Sequence, residues 1–188
     1  GGLPDINKEA ARFEAQSRKM EGWVFTLHAP SYGPFMMYAN KRNLREQMYM
    51  AYNTRCTHDN AYNNFKIVEH IVNLRREVAQ LLGYKNYADY ALRRRMAQNA
   101  ENVYELLDDL INSYLPKAKE EVAQVAQKAK ELEGDDFVIQ PWDFSYYSQK
   151  LKHELYDYDP DMLRPYLQLS HVQKGVLSLA TKLYGITF

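Results

Sequence analysis

Cysteine and net charge are what this sequence has least of. Cys56 is the only cysteine in 188 residues, so an internal disulfide and a thiolate zinc cluster are excluded. The 24 basic and 24 acidic residues cancel, which leaves no field to hold nucleic acid or anionic lipid. Arg93-Arg94-Arg95 is too short a basic run to change this, and we expect it to be a solvated helix face. A cytoplasmic location is predicted, with the periplasm as the alternative.

Long apolar runs are also missing. No stretch approaches the roughly 18 apolar residues of a membrane span, so no span is predicted, and no fixed repeat period marks a solenoid. Hydrophobic residues still make up 46% of the chain, enough for a globular core. Because no Gly/Ser-rich linker divides the sequence, residues 1–188 are interpreted as one helical segment. The start at Gly1 without Met and the end at Phe188 are interpreted as cuts in a larger protein.

The histidine spacing that a helical zinc site needs does not occur. Two histidines one turn apart, with a glutamate beside the first, can hold zinc and activate its water. None of the five histidines has a second one four residues later: His28, His58, His70, His153 and His171. His153 has Asp157 at that position, a pair that could bind a metal but is more typical of a charged helix face. We therefore predict neither a metal ligand nor a catalytic residue in this chain.

Nucleophilic chemistry has no better candidate. Cys56 lies near His58 at the end of a predicted helix, where the negative end of the helix dipole disfavours a thiolate. We expect a partly buried, unreactive thiol there. A Gly-x-Ser-x-Gly elbow and a phosphate loop are both absent from the sequence. The paired carboxylates are expected to be solvated: Asp108-Asp109 and Asp135-Asp136.

Hydrophobic periodicity predicts an all-α fold, an irregular array of several helices. The longest helix runs from Asn99 to about Leu132, with a kink at Pro116, where proline removes a backbone donor. At most a short strand is expected, near the aromatic and β-branched residues 23–27. The other helices are expected at about 5–20, 35–39, 41–55, 59–81, 86–96, 143–156 and 170–185, with a brief helical turn at Asp159-Pro160.

Helix ends are predicted from local signals. The residues expected at helix N-termini carry side chains that accept hydrogen bonds from first-turn amides: Asn40, Asp59, Asn86, Asn99, Asp143 and Ser170. Gly83 and Gly134 are expected just beyond helix C-termini, Gly83 because glycine accepts the left-handed conformation. Pro30, Gly33 and Pro34 predict a turn before the short helix at 35–39.

Tyrosine is unusually abundant, with 16 residues. Several occur in pairs or near-pairs: Tyr49 and Tyr52, Tyr87 and Tyr90, Tyr146 and Tyr147, Tyr156 and Tyr158. Tyrosine joins an apolar ring to a polar hydroxyl, which suits the wall of a wet groove that accepts varied peptides. Boundary packing at half-buried positions is the alternative for each of them. Together they modestly favour a lined channel, but the sequence identifies no substrate-binding residue.

Short motifs along the whole chain are similar to those of a known family. The first set is Gly2-Leu3-Pro4, Gly22-Trp23-Val24-Phe25-Thr26-Leu27, Pro30-Ser31-Tyr32, Leu44-Arg45-Glu46 and Ala51-Tyr52-Asn53-Thr54-Arg55. The second set is Asn73-Leu74-Arg75, Leu81-Leu82-Gly83-Tyr84, Tyr87-Ala88, Met96-Ala97, Pro141-Trp142-Asp143, Tyr146-Tyr147, Leu163-Arg164-Pro165-Tyr166 and Tyr184-Gly185-Ile186-Thr187. Their order and spacing resemble the thimet oligopeptidase family of zinc metallopeptidases, most of all its bacterial peptidyl-dipeptidase (dipeptidyl carboxypeptidase) and oligopeptidase A branches.

The resemblance implies a helical, two-lobed enzyme whose deep channel binds one zinc and admits short peptides; the peptidyl-dipeptidase branch releases C-terminal dipeptides. In the family the HExxH zinc motif follows a segment like this one. The resemblance therefore implies a non-catalytic portion that frames the channel, binds no zinc and is inactive alone. Its expected partners are the remaining catalytic portion of the same chain and, in the parent, short peptides. Asp143 is interpreted as a helix cap, and Trp142 and Tyr146 as packing residues.

A stand-alone helical protein-interaction module without enzymatic activity is the alternative. Such a module would present one contiguous apolar or single-sign patch to a protein partner. In a peptidase portion, by contrast, a large exposed apolar patch marks where the catalytic portion docks. The activity of a longer polypeptide would distinguish the two.

Overall fold

The computed structural model describes residues 1–157 and 160–188. These residues form eight α-helices and one 3₁₀ helix, with no strand among them. The elements are α1 (Asp5–Ser17), α2 (Ala29–Tyr38), α3 (Arg42–Asn53), α4 (Phe65–Leu81), α5 (Tyr87–Leu92), α6 (Ala100–Glu133), α7 (Phe144–Tyr156), η1 (Pro160–Tyr166) and α8 (Leu169–Tyr184). The predicted all-α fold is confirmed. None of the described helices is long and apolar enough to cross a membrane.

The described residues divide into two compact units, residues 1–148 and residues 149–188. The first unit holds α1 to α6 and the start of α7, and the second holds the rest of α7, η1 and α8. Of the predicted turn at Asp159-Pro160, Asp159 lies outside the described residues, and η1 begins at Pro160. The placement of residues 1–188 within a larger two-lobed enzyme stays a prediction.

The core at the start of the first unit is small and rich in alanine. Helix α1 contacts α2, and α2 contacts α3. The residues buried there are Ala11, Ala15, Phe35, Met36 and Ala39. Because alanine side chains are short, the helices can approach closely at these positions. Phe25 meets Phe35 edge to face, with ring centroids 4.8 Å apart, so the segment between α1 and α2 completes this core.

That segment was the strand candidate, and the structure shows why no strand forms. The Val24 amide donates to the carbonyl of Ala11 in α1 at 2.9 Å. The Thr26 amide donates to Ser31 Oγ at 3.0 Å. Since these donors are bound by a helix carbonyl and a side chain, residues 23–27 are held against α1 and α2 rather than in a ladder. The prediction of at most a short strand near residues 23–27 therefore agrees with the structure, in which these residues form no strand.

Two of the predicted N-termini are confirmed by their cap geometry. Asn86 Oδ1 accepts from the Asp89 amide at 2.9 Å, and Asn99 Oδ1 accepts from the Asn102 amide at 2.8 Å. Each asparagine satisfies one of the first-turn amides that has no partner within its helix. Local sequence is sufficient to set both helix starts.

The predicted helix ends at glycine are confirmed as well. Gly83 has φ of +81° and Gly134 has φ of +109°. At the end of α4 the Gly83 amide donates to Gln80 O and the Tyr84 amide to Ala79 O, both at 2.9 Å. This pair of bonds is a Schellman motif, which satisfies two of the last helix carbonyls.

Three other predicted caps are wrong. Helices α3, α4 and α8 start after Lys41, Asn64 and Gln168, none of which makes a side-chain cap bond. The expected capping residues were Asn40, Asp59 and Ser170. Asn40 lies one residue too early, and its amide oxygen instead accepts from Tyr146 Oη at 3.3 Å. A tertiary partner has displaced the local cap.

The predicted turn at Pro30, Gly33 and Pro34 is also wrong, because α2 begins at Ala29 and continues through all three residues. Pro30 lies in the first turn, where a missing amide hydrogen breaks no helical bond. Pro34 removes one interior bond, and the packing of Phe35 and Met36 in the core holds the helix together there. Tertiary burial outweighs the local signal.

Helix α6 is the longest described element, at 34 residues, which corresponds to roughly 51 Å. It continues through Pro116 without interruption, and the kink expected there stays a prediction. Only Val125 and Ala129 in this helix are buried. Its N-terminal part contacts α5, so α6 extends from the α4–α5 region to the neighbourhood of α7.

Gly83→Ala is expected to lower the free energy of unfolding by about 1–2 kcal/mol, the penalty for a left-handed non-glycine residue. A Cβ atom at Gly83 would meet nothing within 4 Å, so the loss reflects backbone strain alone. Urea denaturation followed by circular dichroism measures it. Gly175→Ala in α8 is the matched control, since it also has open space but a helical backbone, and it should gain about 0.5–1 kcal/mol. Equal effects of the two changes would contradict this account.

Candidate functional site

A buried ion network lies between α3 and the start of α7. Asp143 has 0% exposure and Arg45 has 1%. Arg45 Nη2 lies 2.9 Å from Asp143 Oδ1, and Arg42 Nη2 lies 2.7 Å from Asp143 Oδ2. The hydrogen bond to Asp143 raises the pKa of Arg42. One carboxylate therefore holds two guanidinium groups from the first turn of a distant helix.

The remaining polar atoms of this network bind backbone groups. Arg45 Nη1 donates to Ala39 O at 2.8 Å, and Arg45 Nε donates to Trp142 O at 3.3 Å. The Gln140 amide donates to Asp143 Oδ2 at 3.0 Å. A buried ion pair is stable only when its other donors and acceptors are satisfied in this way. The network is consequently a structural joint, with its carboxylate already engaged.

Two tyrosines of the predicted pairs enclose this joint. The Arg45 guanidinium lies 4.1 Å from the ring centroid of Tyr146, and Tyr147 Oη donates to Glu133 Oε1 at 3.0 Å. Burial, and then the hydrogen bond to Glu133, raise the pKa of Tyr147. Tyr146 and Tyr147 are both buried, so this pair packs the core. The interpretation of Tyr146 as a packing residue is confirmed.

Asp143 has a larger role than the predicted helix cap. It directly precedes α7, as a capping residue would, but its carboxylate binds Arg42, Arg45 and the Gln140 amide. Both arginines were missed as functional partners from the sequence. Arg45 and Asp143 each stand in a motif that resembles the peptidase family, but neither motif indicates that the two side chains pair, and Arg42 stands in none of these motifs.

Trp142 is half-buried beside this joint. Its ring meets Tyr49 edge to face, with centroids 6.0 Å apart, which confirms its interpretation as packing. Its indole Nε1 is buried without a hydrogen-bond acceptor in the described part of the chain. A buried donor of this kind without an acceptor costs about 1–3 kcal/mol.

His153 and Asp157, the pair with metal-ligand spacing, do not form a metal site with a third ligand group in the described residues. His153 lies in the last turn of α7, whereas Asp157 follows the helix with φ of +45°. Both side chains are exposed. Within residues 1–157 and 160–188, no three His, Cys, Asp or Glu side chains are placed to hold an ion.

Cys56 is exposed rather than partly buried, which corrects that prediction. It lies just after α3 with φ of +60°, at a sharp turn. His58 Nε2 lies 3.2 Å from Thr54 Oγ1, so the imidazole is engaged with a hydroxyl. The geometry gives no support for a Cys–His nucleophile.

Three tyrosines and two arginines meet near the α4–α5 junction, and we refer to Tyr84, Tyr87, Tyr90, Arg75 and Arg93 as the tyrosine–arginine cluster. Tyr84 and Tyr87 lie 5.5 and 5.9 Å from the ring of Tyr90. Arg75 lies 5.3 Å from the centroid of Tyr87. Arg93 lies 5.6 and 5.4 Å from those of Tyr84 and Tyr90, and its Nη1 donates to Tyr84 Oη at 2.9 Å.

The arginine triplet differs from its prediction. Arg93, Arg94 and Arg95 are exposed, as expected, but they follow the end of α5 in a turn and do not form a helix face. An open cavity of about 360 Å³ lies beside them, lined also by Tyr87 and Tyr90. The triplet is thus part of a shaped surface.

Helix α4 carries an apolar stripe that nothing in the described structure covers. The stripe residues are 41–88% exposed: Ile67, Ile71, Leu74, Val78 and Leu81. Ala79 is the only buried residue of α4, and it points about 100° away from its neighbour Val78. The helix is therefore amphipathic, yet its main apolar face is solvent-exposed.

The same excess is found over the whole chain. Its accessible surface is 15090 Å², whereas a compact protein of 188 residues exposes about 9,300 Å². Even two separate domains of the sizes of the two units would expose only roughly 11,000 Å². Much apolar surface that a compact, self-sufficient domain would bury is thus exposed to solvent.

Comparison with known proteins places these features in a larger context. The model of a family described as peptidase family M3 matches residues 35–188. Oligopeptidase A of Escherichia coli K12 is 40% identical over 190 residues, covering 99% of this chain and 28% of that protein. The organellar oligopeptidase A of Arabidopsis thaliana is 38% identical over 167 residues, covering 87% of this chain and 21% of that protein.

A second kind of relative is also similar. Dipeptidyl carboxypeptidase of E. coli K12 is 29% identical over 181 residues, covering 96% of this chain and 26% of that protein. The chain thus spans less than a third of the length of the curated relatives it matches. Nearly every residue of this chain has a counterpart in them.

Asp143→Ala is expected to lower the free energy of unfolding by about 3–5 kcal/mol, because it leaves Arg45 buried without a counter-charge. Urea denaturation measures the loss. The double change Arg45→Met with Asp143→Leu should recover much of it, since an apolar pair can replace a buried ion pair. Glu120→Ala is the control, because its 3.1 Å pair with Lys117 is exposed and contributes less than about 1 kcal/mol. Similar losses of unfolding free energy for Asp143→Ala and Glu120→Ala would contradict a stabilising role for the buried ion network.

Tyr147→Phe is expected to flatten the alkaline limb of the stability profile. The raised pKa of Tyr147 means that the folded state keeps a proton that the unfolded state loses above about pH 10. The stability from the neutral phenol is therefore complete below that pH and is lost as pH rises towards the folded-state pKa. Urea denaturation between pH 8 and pH 11 measures the slope. Tyr62→Phe, at a 78% exposed position, should leave the slope unchanged, and identical slopes for all three proteins would contradict the assignment.

Proposed function

The chain belongs to peptidase family M3, and from this we propose that it is a non-catalytic portion of a zinc metallopeptidase that hydrolyses short peptides. Its part in the enzyme is to frame the substrate channel. The family match and the peptidase names of the relatives support this assignment. Because the chain spans 28% of E. coli oligopeptidase A, activity is assigned to the whole parent protein.

The exposed apolar stripe of α4 is the observation that carries this proposal. Burying a side chain such as Ile71 or Leu74 contributes about 1.5–3 kcal/mol, so a free-standing domain would cover these positions. We propose that the stripe packs against the catalytic portion of the same polypeptide, outside this chain. The buried indole Nε1 of Trp142, without an acceptor in the described residues, gives weaker support in the same direction.

The zinc is proposed to be held outside this chain. When bound, zinc polarises a peptide carbonyl and activates a water molecule for attack. The residues present do not fit this role, because His153 and Asp157 have no third ligand group beside them in the described part of the chain. No step of hydrolysis is therefore assigned to a side chain of this portion.

Oligopeptides are the proposed substrates, supported by the 40% identity to an oligopeptidase A. The predicted release of C-terminal dipeptides has the lower support of a relative at 29% identity, and it stays a prediction. Mass spectrometry of the products separates the two, since dipeptide release gives a ladder of losses of two residues. A cytoplasmic location is kept as a proposal, with the periplasm as the alternative, and the single cysteine supports it because disulfides are rare in the cytosol.

An assay with quenched fluorescent peptides tests the proposed function. A polypeptide extended beyond Phe188 to include the zinc motif should cleave the peptide, lose activity with a chelator and regain it with zinc. This chain alone should not cleave it. Cleavage by this chain alone would overturn the proposal and would make His153 and Asp157 the candidate metal ligands. Inactivity of both would favour the interaction-module alternative.

Ile71→Asp tests the docking face within the same comparison. In this chain alone Ile71 is 41% exposed, so the change should alter the free energy of unfolding only slightly. In the longer polypeptide the same change should lower thermal stability and activity, because it buries a charge. Gln80→Asp, on the opposite side of α4, is the matched control. An equal, small effect of Ile71→Asp in both proteins would show that the stripe stays exposed.

A further inference from the structure

The tyrosine–arginine cluster lies in the most basic part of a neutral chain. Residues 78–100 carry four basic side chains, at positions 85, 93, 94 and 95, and one acidic side chain, Asp89. Asp89 Oδ2 accepts from Asn86 Nδ2 at 3.0 Å, so it is engaged within its own helix cap. In the described residues no carboxylate lies within ion-pair distance of Arg93, Arg94 or Arg95. Within the described part of the chain, these three guanidinium groups thus have no carboxylate partner.

The structure also holds one of these groups in place. Arg93 lies against the rings of Tyr84 and Tyr90 and donates to Tyr84 Oη at 2.9 Å. Ring contacts and this bond restrict the rotamers of the side chain, so less entropy is lost when a ligand binds. A guanidinium carries five donors in a planar fork, and the bond to Tyr84 occupies only one of them. The others can pair with a planar oxyanion.

The cavity beside the cluster has room for such a group. It is open, measures about 360 Å³, and is lined by Tyr87, Tyr90, Ala91 and the three arginines. From this arrangement we propose that the tyrosine–arginine cluster, together with the adjacent Arg94 of the cavity wall, binds acidic peptide segments, through a carboxylate held by Arg93 and Arg94. The tyrosine rings would pack against the apolar parts of neighbouring peptide residues. This binding does not depend on the proposed peptidase function.

A peptide fits this surface better than a nucleic acid does. Nucleic-acid affinity comes from many phosphate contacts along an extended basic face, whereas the chain as a whole has 24 basic and 24 acidic residues. The three neighbouring arginines 93–95 all lie in the single turn after α5, so they can pair with only a few carboxylates at a time. Guanidinium forks bind carboxylates in a bidentate manner.

Fluorescence anisotropy of labelled peptides tests this proposal. A peptide rich in Glu should bind this chain, and the same peptide with Gln in place of Glu should bind at least about tenfold more weakly, because bidentate charge-assisted bonds are lost. Binding should weaken as salt is raised. Arg93→Gln should reduce affinity about tenfold, and Tyr84→Phe, which keeps the charge but removes the bond to Arg93, should reduce it severalfold. Circular dichroism verifies that the variants are folded.

Lys119→Gln is the matched control, since it removes an equal charge at an exposed position of α6 and should leave binding unchanged. Equal losses for Arg93→Gln and Lys119→Gln, or equal binding of the Glu and Gln peptides, would overturn the proposal. Tighter binding of a single-stranded oligonucleotide would assign the surface to nucleic acid instead. The same titration with the longer polypeptide identifies the natural occupant: retained binding supports the proposal, and lost binding assigns the cluster to the parent's own interface.

Discussion

The structure of the first unit depends on one buried carboxylate. Asp143 joins Arg42 and Arg45 across about a hundred residues of sequence, and it does so at essentially zero exposure. A desolvated charge is strongly unfavourable unless every partner is in place. The start of α3, the loop before α7 and the tyrosines around them must therefore be positioned together, although α3 and α7 lie about a hundred residues apart in the sequence.

The hydrophobic balance of the chain differs from that of a self-sufficient domain. Its buried apolar residues are mostly small, whereas the large ones on α4, α6 and α8 are exposed. Membership in peptidase family M3, with relatives more than three times as long as this chain, gives these faces a physical explanation. The ion joint fixes how the segments of this portion are arranged, and the exposed apolar faces are the surfaces that we propose pack against the rest of the enzyme.

Sequence reasoning succeeded where the cause is local. Periodicity located the helices, and Asn86, Asn99 and Gly83 marked their ends because each acts on atoms within a few residues. It failed where a residue distant in sequence determines the local structure. Asn40 binds Tyr146 instead of a helix amide, and residues 23–27 are bonded to a helix rather than to a second strand. The pairing of Arg45 with Asp143 could not be predicted, because no periodicity connects positions 98 residues apart. Motif resemblance identified the family, but it carried over no catalytic residue, since the motif that supplies those residues is not in this chain.

Helix α6 is held near both of its ends. Asn99 caps its start beside α5, and Glu133, its last residue, accepts the hydroxyl of Tyr147. Pro116 stands near the middle, so each half is a rod of roughly 25 Å. A rod pinned at one end acts as a lever: a change of about 10° at the midpoint displaces the far end by about 4 Å, the size of a side chain. If the predicted kink at Pro116 is present, the missing amide of one proline would give this helix a place where small angular changes become atomic displacements at α5.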